Sequence, residues 1–175
     1  MRRILVSCAV IGVLTLPAAA SARAHEQAKP GFLVVRGAAG DGGVNGHPVV
    51  TLVVHGFVLG SVKQQAQARV DIYQLSSTGG QGAPQATPNA SGKAIEGAHG
   101  ITHEFSGSGF RFRAMGGYYR VVVRGSGVYL FAGGQGTVKL QGSTAYPRAD
   151  GTYSINGSAF RSLPTQILKR QIGRG

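Results

Sequence analysis

The sequence predicts an all-β protein: a single antiparallel β-sandwich or barrel of about eight to ten short strands punctuated by glycine. Three observations predict it. Short runs such as Phe110-Arg111-Phe112-Arg113 and Ala68-Arg69-Val70-Asp71-Ile72 alternate apolar and polar residues, the mark of a strand with one buried and one wet face. Glycine supplies 29 of the 175 residues and falls at the ends of these runs, where turns and bulges use it. No segment has convincing helical periodicity, Ile167, Leu168 and Ile172 making one weak exception.

The chain begins as an export signal does. Met1-Arg2-Arg3 is a basic lead, Ile4 to Leu16 an apolar core, and Pro17 with the alanines leads to cleavage after Ala22 or Ala24. The apolar run is too short to span a bilayer and no later stretch approaches one, so no transmembrane segment is expected after cleavage. The expected organisation is a removed signal over 1–24, one all-β domain over 25–164, and a basic tail over 165–175. Cys8 leaves with the signal, which excludes disulfides from the exported form. The signal also takes Arg2, Arg3 and Arg23 and no acid, so the formal charge of +12 falls by three to +9. A field of that sign favours polyanionic partners.

Residues 25–31 read as a lead-in, Phe32 to Val35 as a first strand, and Ala38 to Gly46 as a glycine-rich loop. Pro48 to His55 is a second strand, and Gly56 to Gly60 bends into a third. Gln67 to Leu75 alternates as a half-exposed strand. Residues 76–100 are rich in Gly, Pro, Ser and Ala and nearly empty of large apolar side chains, so they read as a mobile loop.

The densest β signal lies between Phe105 and Gly142. There Gly116-Gly117 reads as a hairpin turn that sets Arg113 opposite Arg120 and Phe112 opposite Val121. One face then carries Phe110, Phe112, Tyr119, Val121 and Val123, and the other carries Arg111, Arg113, Arg120 and Arg124. Gly127 to Ala132 is apolar on both parities and reads as a central strand covered on both faces. Thr137 to Gln141 alternates again. Gly151 to Phe160 reads as a hairpin with Asn156-Gly157 at its tip and Tyr153 opposite Phe160.

Leu33 to Gly37, Leu52 to Gly56 and Val121 to Gly125 share an ending of two valines, a basic residue and glycine. This is compatible with two similar halves joined by the mobile loop, and equally with the common likeness of short β sequences. The segments YRVVVRGSG (119–127) and DGTYSING (150–157) make the chain similar to secreted, glycine-rich all-β proteins of bacteria, a resemblance that implies no activity.

Catalytic chemistry has no assembled set. There is no G-x-S-x-G elbow, and Asp71, Glu96 and Glu104 are the only plausible acid/base carboxylates, with nothing pairing them. Gly133-Gly134-Gln135-Gly136 lacks the Lys-Ser/Thr of a phosphate loop. His99 and His103 are four apart, but Gly97, Gly100 and Ile101 argue against the helix that would aim both at one metal. A newly exposed N-terminal His25 could offer amine and imidazole to copper, given a second ligand such as His47, His55 or His103. No cofactor is expected. The alternative to a binding module is a small secreted copper or zinc enzyme using His25 or the His99/His103 pair.

The arginine face is the remaining candidate. Arg111, Arg113, Arg120 and Arg124 are either a solvated strand face or a contact surface for an anionic envelope polymer or a lipid headgroup. Base stacking is disfavoured, because alternation hides Phe110 and Phe112 on the opposite side. The sequence thus points to an exported, non-catalytic binding or structural module of the cell envelope or extracellular space, with no sequence-specific nucleic-acid partner.

Overall fold

The computed structural model describes residues 29–40, 46–63, 67–76, 82–97, 100–144 and 151–173. The expected export signal, His25, His99 and the end of the chain at Arg174 therefore lie outside the described residues. The strands are β1 (Gly31–Ala38), β2 (Val50–Ser61), β3 (Ala68–Gln74), β4 (Gln85–Thr87), β5 (Ala90–Gly97) and β6 (Gly100–Gly107). They continue with β7 (Arg111–Arg124), β8 (Val128–Leu140), β9 (Thr152–Ile155), β10 (Arg161–Ser162) and β11 (Leu168–Ile172). All belong to one antiparallel sheet in the order β10-β9-β1-β8-β2-β7-β3-β6-β5, with β11 beside β8 and β4 beside β7. The protein is all-β, as the alternation predicts.

β2 is the centre of the sheet. It pairs with β8 from Val50↔Leu140 to Ser61↔Tyr129 and with β7 from Val50↔Val123 to Ser61↔Arg111. Leu33, Val35, Val50, Leu52, Val54, Val58, Val70, Ile72, Phe112, Tyr119, Val121, Val123, Leu130, Val138 and Leu140 are all buried on one face. A single sheet can bury one face this completely only by curling that face onto itself, in the manner of a sandwich or incomplete barrel. The strand ladder does not close; β5 and β10 remain as its two edges.

Gly116-Gly117 is not a turn. β7 runs straight through it, and β2 lies between β7 and β8. Gly56 pairs with Gly117 and Val58 with Ala114, so Met115 and Gly116 together oppose Phe57. This is a β-bulge, with Gly116 at φ 63° in the left-handed conformation that glycine adopts without penalty. The same φ serves a hairpin or a bulge, and only the partner strand decides between them. The bulge moves the alternation by one residue, so the buried parity passes from Phe112 and Ala114 to Tyr119, Val121 and Val123. All four arginines consequently keep the outer face, but Arg113 no longer meets Arg120. They lie on one strand, on the order of 20 Å apart at 3.3 Å per residue.

Other expectations change for related reasons. Gly56 to Gly60 does not bend into a third strand but continues β2. Much of the expected mobile loop is strand, β4 and β5, held by backbone pairing to β7 and β6 while its side chains stay largely exposed. A polar edge strand leaves no hydrophobic signature, so composition alone reads it as a loop. The basic tail is likewise β11, whose Ile172 is fully buried and whose Leu168 sits opposite Leu140. Asn156 (φ 52°) and Gly157 (φ 76°) do form the expected tight turn. Tyr153 pairs with Arg161 rather than Phe160, and Asn156 Oδ1 accepts from the Gly173 amide at 3.1 Å, tying the turn to β11.

Candidate functional site

The outer face of the sheet carries the unusual chemistry, and the register lays it out in cross-strand rows. Because side chains directly opposite each other share a face, one row runs Lys169, Lys139, Thr51, Val122, Asp71, Glu104, Lys93 across β11-β8-β2-β7-β3-β6-β5. A second runs Val34, Phe131, Leu59, Arg113, Gln85 across β1-β8-β2-β7-β4. The two rows sit at opposite ends of β7, and their electrostatics differ.

At the first end the charges on β7, β3, β6 and β5 are paired, while Lys139 and Lys169 stand opposite each other on β8 and β11. Asp71, only 2% exposed, accepts from Arg69 Nε and Arg124 Nη1, each at 2.8 Å. Arg69 Nη2 also donates to Glu104 at 2.8 Å, and Lys93 Nζ lies 3.0 Å from the other Glu104 oxygen. The bond to Asp71 and its negative charge raise the pKa of Arg69 above its usual value, with Glu104 adding to the effect and burial opposing it. The result is a charge ladder, Arg124-Asp71-Arg69-Glu104-Lys93, tying four strands together. Arg124, one of the four expected contact residues, is thereby committed to a buried carboxylate. Arg120 stacks 5.4 Å above the Tyr73 ring, which engages its guanidinium face without neutralising it.

At the other end the cations have no acidic partner among the described residues. Arg113 donates to Gln85 Oε1 at 2.8 Å, a neutral partner, and among the described residues Arg111 has neither a hydrogen bond nor an ion pair. Arg36 lies 4.2 Å from the Phe160 ring and Lys63 5.8 Å from Tyr129, again cation–π contacts only. The three acids among the described residues, Asp71, Glu96 and Glu104, belong to β3, β5 and β6. Two shallow grooves of about 450 Å³ each flank Arg111 and share Leu59 and Gly60. One is bordered by Gln85, Thr87 and Arg113, the other by Arg36, Tyr129 and Phe131.

Between these cations lies an aromatic cluster absent from the expected site. Phe32 and Phe131 stack at 5.8 Å with planes 8° apart, and Phe57 approaches Phe131 at 5.4 Å. Gly133 makes this packing possible. It stands opposite both Phe32 and Phe57, and a Cβ there would come within 2.5 Å of the Phe57 ring. The strand from Gly127 to Ala132 is thus central but covered on one face only: Leu130 and Ala132 are buried, while Phe131 remains 39% exposed. A doubly apolar strand in the sequence signals either two covering layers or one layer and an apolar surface. That ambiguity concealed Phe131 and Tyr129.

The described histidines do not converge on a metal site. His55 meets Tyr118 edge-on at 6.5 Å in the middle of the outer face, whereas His103 stacks on Phe105 at 6.4 Å on β6. Burial lowers the pKa of His103 and disfavours its charged form. Among the described residues no three His, Cys, Asp or Glu side chains are placed to hold a metal ion; His25 and His99, the other proposed ligands, lie outside those residues. No family model, curated protein or solved structure matches this chain.

Proposed function

We propose that the chain is an exported, non-catalytic binding module that holds an anionic partner of the cell envelope, a polymer or a lipid headgroup, at one end of its outer face. The supporting observation is the segregation of charge. Asp71 and Glu104 neutralise Arg69, Arg124 and Lys93 at the ladder end, whereas Arg36, Lys63, Arg111 and Arg113 surround the grooves without an acidic partner among the described residues. Like charges placed together on a sheet raise its energy, and an anion bound among them lowers it. Lys139 directly opposite Lys169 is a like-charge pair in the first row, away from the grooves. The basic lead and apolar run over residues 1–16 support export.

Two measurements test this. N-terminal sequencing of protein recovered outside the cytoplasm should begin at Arg23 or His25, and an intact Met1 there would refute export. Binding to soluble polyphosphate should weaken steeply with salt, with a log–log slope of roughly −2 to −3 for three or four neutralised phosphates. Arg111→Ser with Arg113→Ser should reduce both affinity and slope. If that pair changes nothing while Lys139→Ser with Lys169→Ser abolishes binding, the groove end is not the contact surface.

A further inference from the structure

We propose that the aromatic cluster on β1, β8 and β2 is a docking surface for an anionic lipid bilayer, so that the protein sits peripherally on a membrane through this face. The inference rests on the anion-binding reading and names its partner. Phe32, Leu59, Tyr129 and Phe131 are between 38% and 46% exposed, and with Val34 and Phe57 they form one contiguous surface by register. At 150–250 Å² for an aromatic side chain, this amounts to a few hundred Å² of apolar area, about the largest patch an ordinary monomer presents. Arg36, Lys63, Arg111 and Arg113 rim it.

The geometry selects among anionic partners. A soluble polyanion satisfies the cations but leaves the rings in water. A sugar or a base would stack flat on a single free ring, whereas Phe131 is already stacked on Phe32 with planes 8° apart and packed against Phe57. An acyl-chain boundary needs no single flat ring. It accepts an apolar patch of mixed relief, while the flanking guanidinium and ammonium groups reach lipid phosphates at the depth where Arg, Lys and Tyr ordinarily sit. Apolar centre and basic rim therefore match one surface, a bilayer with negatively charged headgroups.

The test sediments the mature protein, its N-terminus confirmed by sequencing, with vesicles of phosphatidylcholine alone or mixed with phosphatidylglycerol. Binding is expected only to the mixed vesicles. Phe32→Ser with Phe57→Ser should weaken it about tenfold or more while leaving polyphosphate binding intact. Phe131→Trp supplies a reporter, because the chain has no tryptophan, and its emission should shift to the blue on mixed vesicles. This reporter decides the matter even if the serine variant does not fold. Polyphosphate binding without vesicle binding, or vesicle binding that leaves the emission of the Phe131→Trp variant unshifted, overturns the membrane assignment and leaves the anion reading standing. Loss of both ligands overturns both. A dimer in solution that the serine variant dissociates, with no vesicle binding, would give the patch to a second copy of the chain instead.

Discussion

Asp71→Asn is the most informative single substitution for the architecture. The carboxylate is 2% exposed and joins Arg69 and Arg124 at 2.8 Å each. Asparagine preserves its volume but removes the charge and turns a donor toward one guanidinium. Each hydrogen bond to a charged partner contributes about 1.5–3 kcal/mol, which sets an upper range near 5 kcal/mol for breaking a buried pair. The arginine side chains are 42% and 26% exposed, so both can turn toward water and recover part of the loss. The expected cost is therefore about 2–3 kcal/mol. In a chain of this size that lowers Tm by roughly 5–10 °C, measurable by circular dichroism and by the urea midpoint at unchanged m-value. Arg124→Met should cost less, about 1 kcal/mol, because Asp71 retains Arg69. An Asp71→Asn variant within about 1 °C of the parent, or an Arg124→Met variant that loses more, would refute the reasoning that the buried carboxylate anchors the ladder.

Other outcomes follow from single features. Gly116→Val should destabilise by about 2 kcal/mol through its positive φ and Gly116→Asn by clearly less; equal losses in urea would show that backbone conformation is not the cause. Tyr119→Phe removes the bond from the buried hydroxyl to the Met115 carbonyl, 2.8 Å long, and should cost about 1 kcal/mol. Burial raises the Tyr119 pKa, so the unfolded chain ionises first, and this residue's contribution should fade as pH rises past about 10; Tyr119→Phe should flatten that limb of a Tm profile. His103 behaves in the opposite sense. Its folded pKa is lowered, so its contribution is present above the unfolded value near 6.5 and lost as pH falls below it. A Tm that drops equally across that interval in His103→Gln would assign the effect to other groups.

What the sequence alone determined is the class of structure and the side of each strand that faces the core. Phe110, Phe112, Val121 and Val123 are buried as their alternation requires, and Arg111, Arg113 and Arg120 are exposed, because side-chain parity is a local property of extended backbone. The Asn156-Gly157 turn was legible for the same reason: both residues tolerate positive φ, and no distant partner is needed to specify it. Pairing was not legible, because it depends on strands far apart in the chain. Only the insertion of β2 between β7 and β8 turned Gly116 from a hairpin turn into a bulge, separating Arg111 and Arg113 from Arg120 and Arg124. Only the neighbourhood of β3 and β6 then gave Arg124 to Asp71 and left Arg111 without an acid among the described residues. The exposed phenyl rings depended on tertiary structure in the same way. Phe32, Phe57 and Phe131 are distant in sequence, and their meeting over Gly133 required the β1-β8-β2 register that closes the core beneath them.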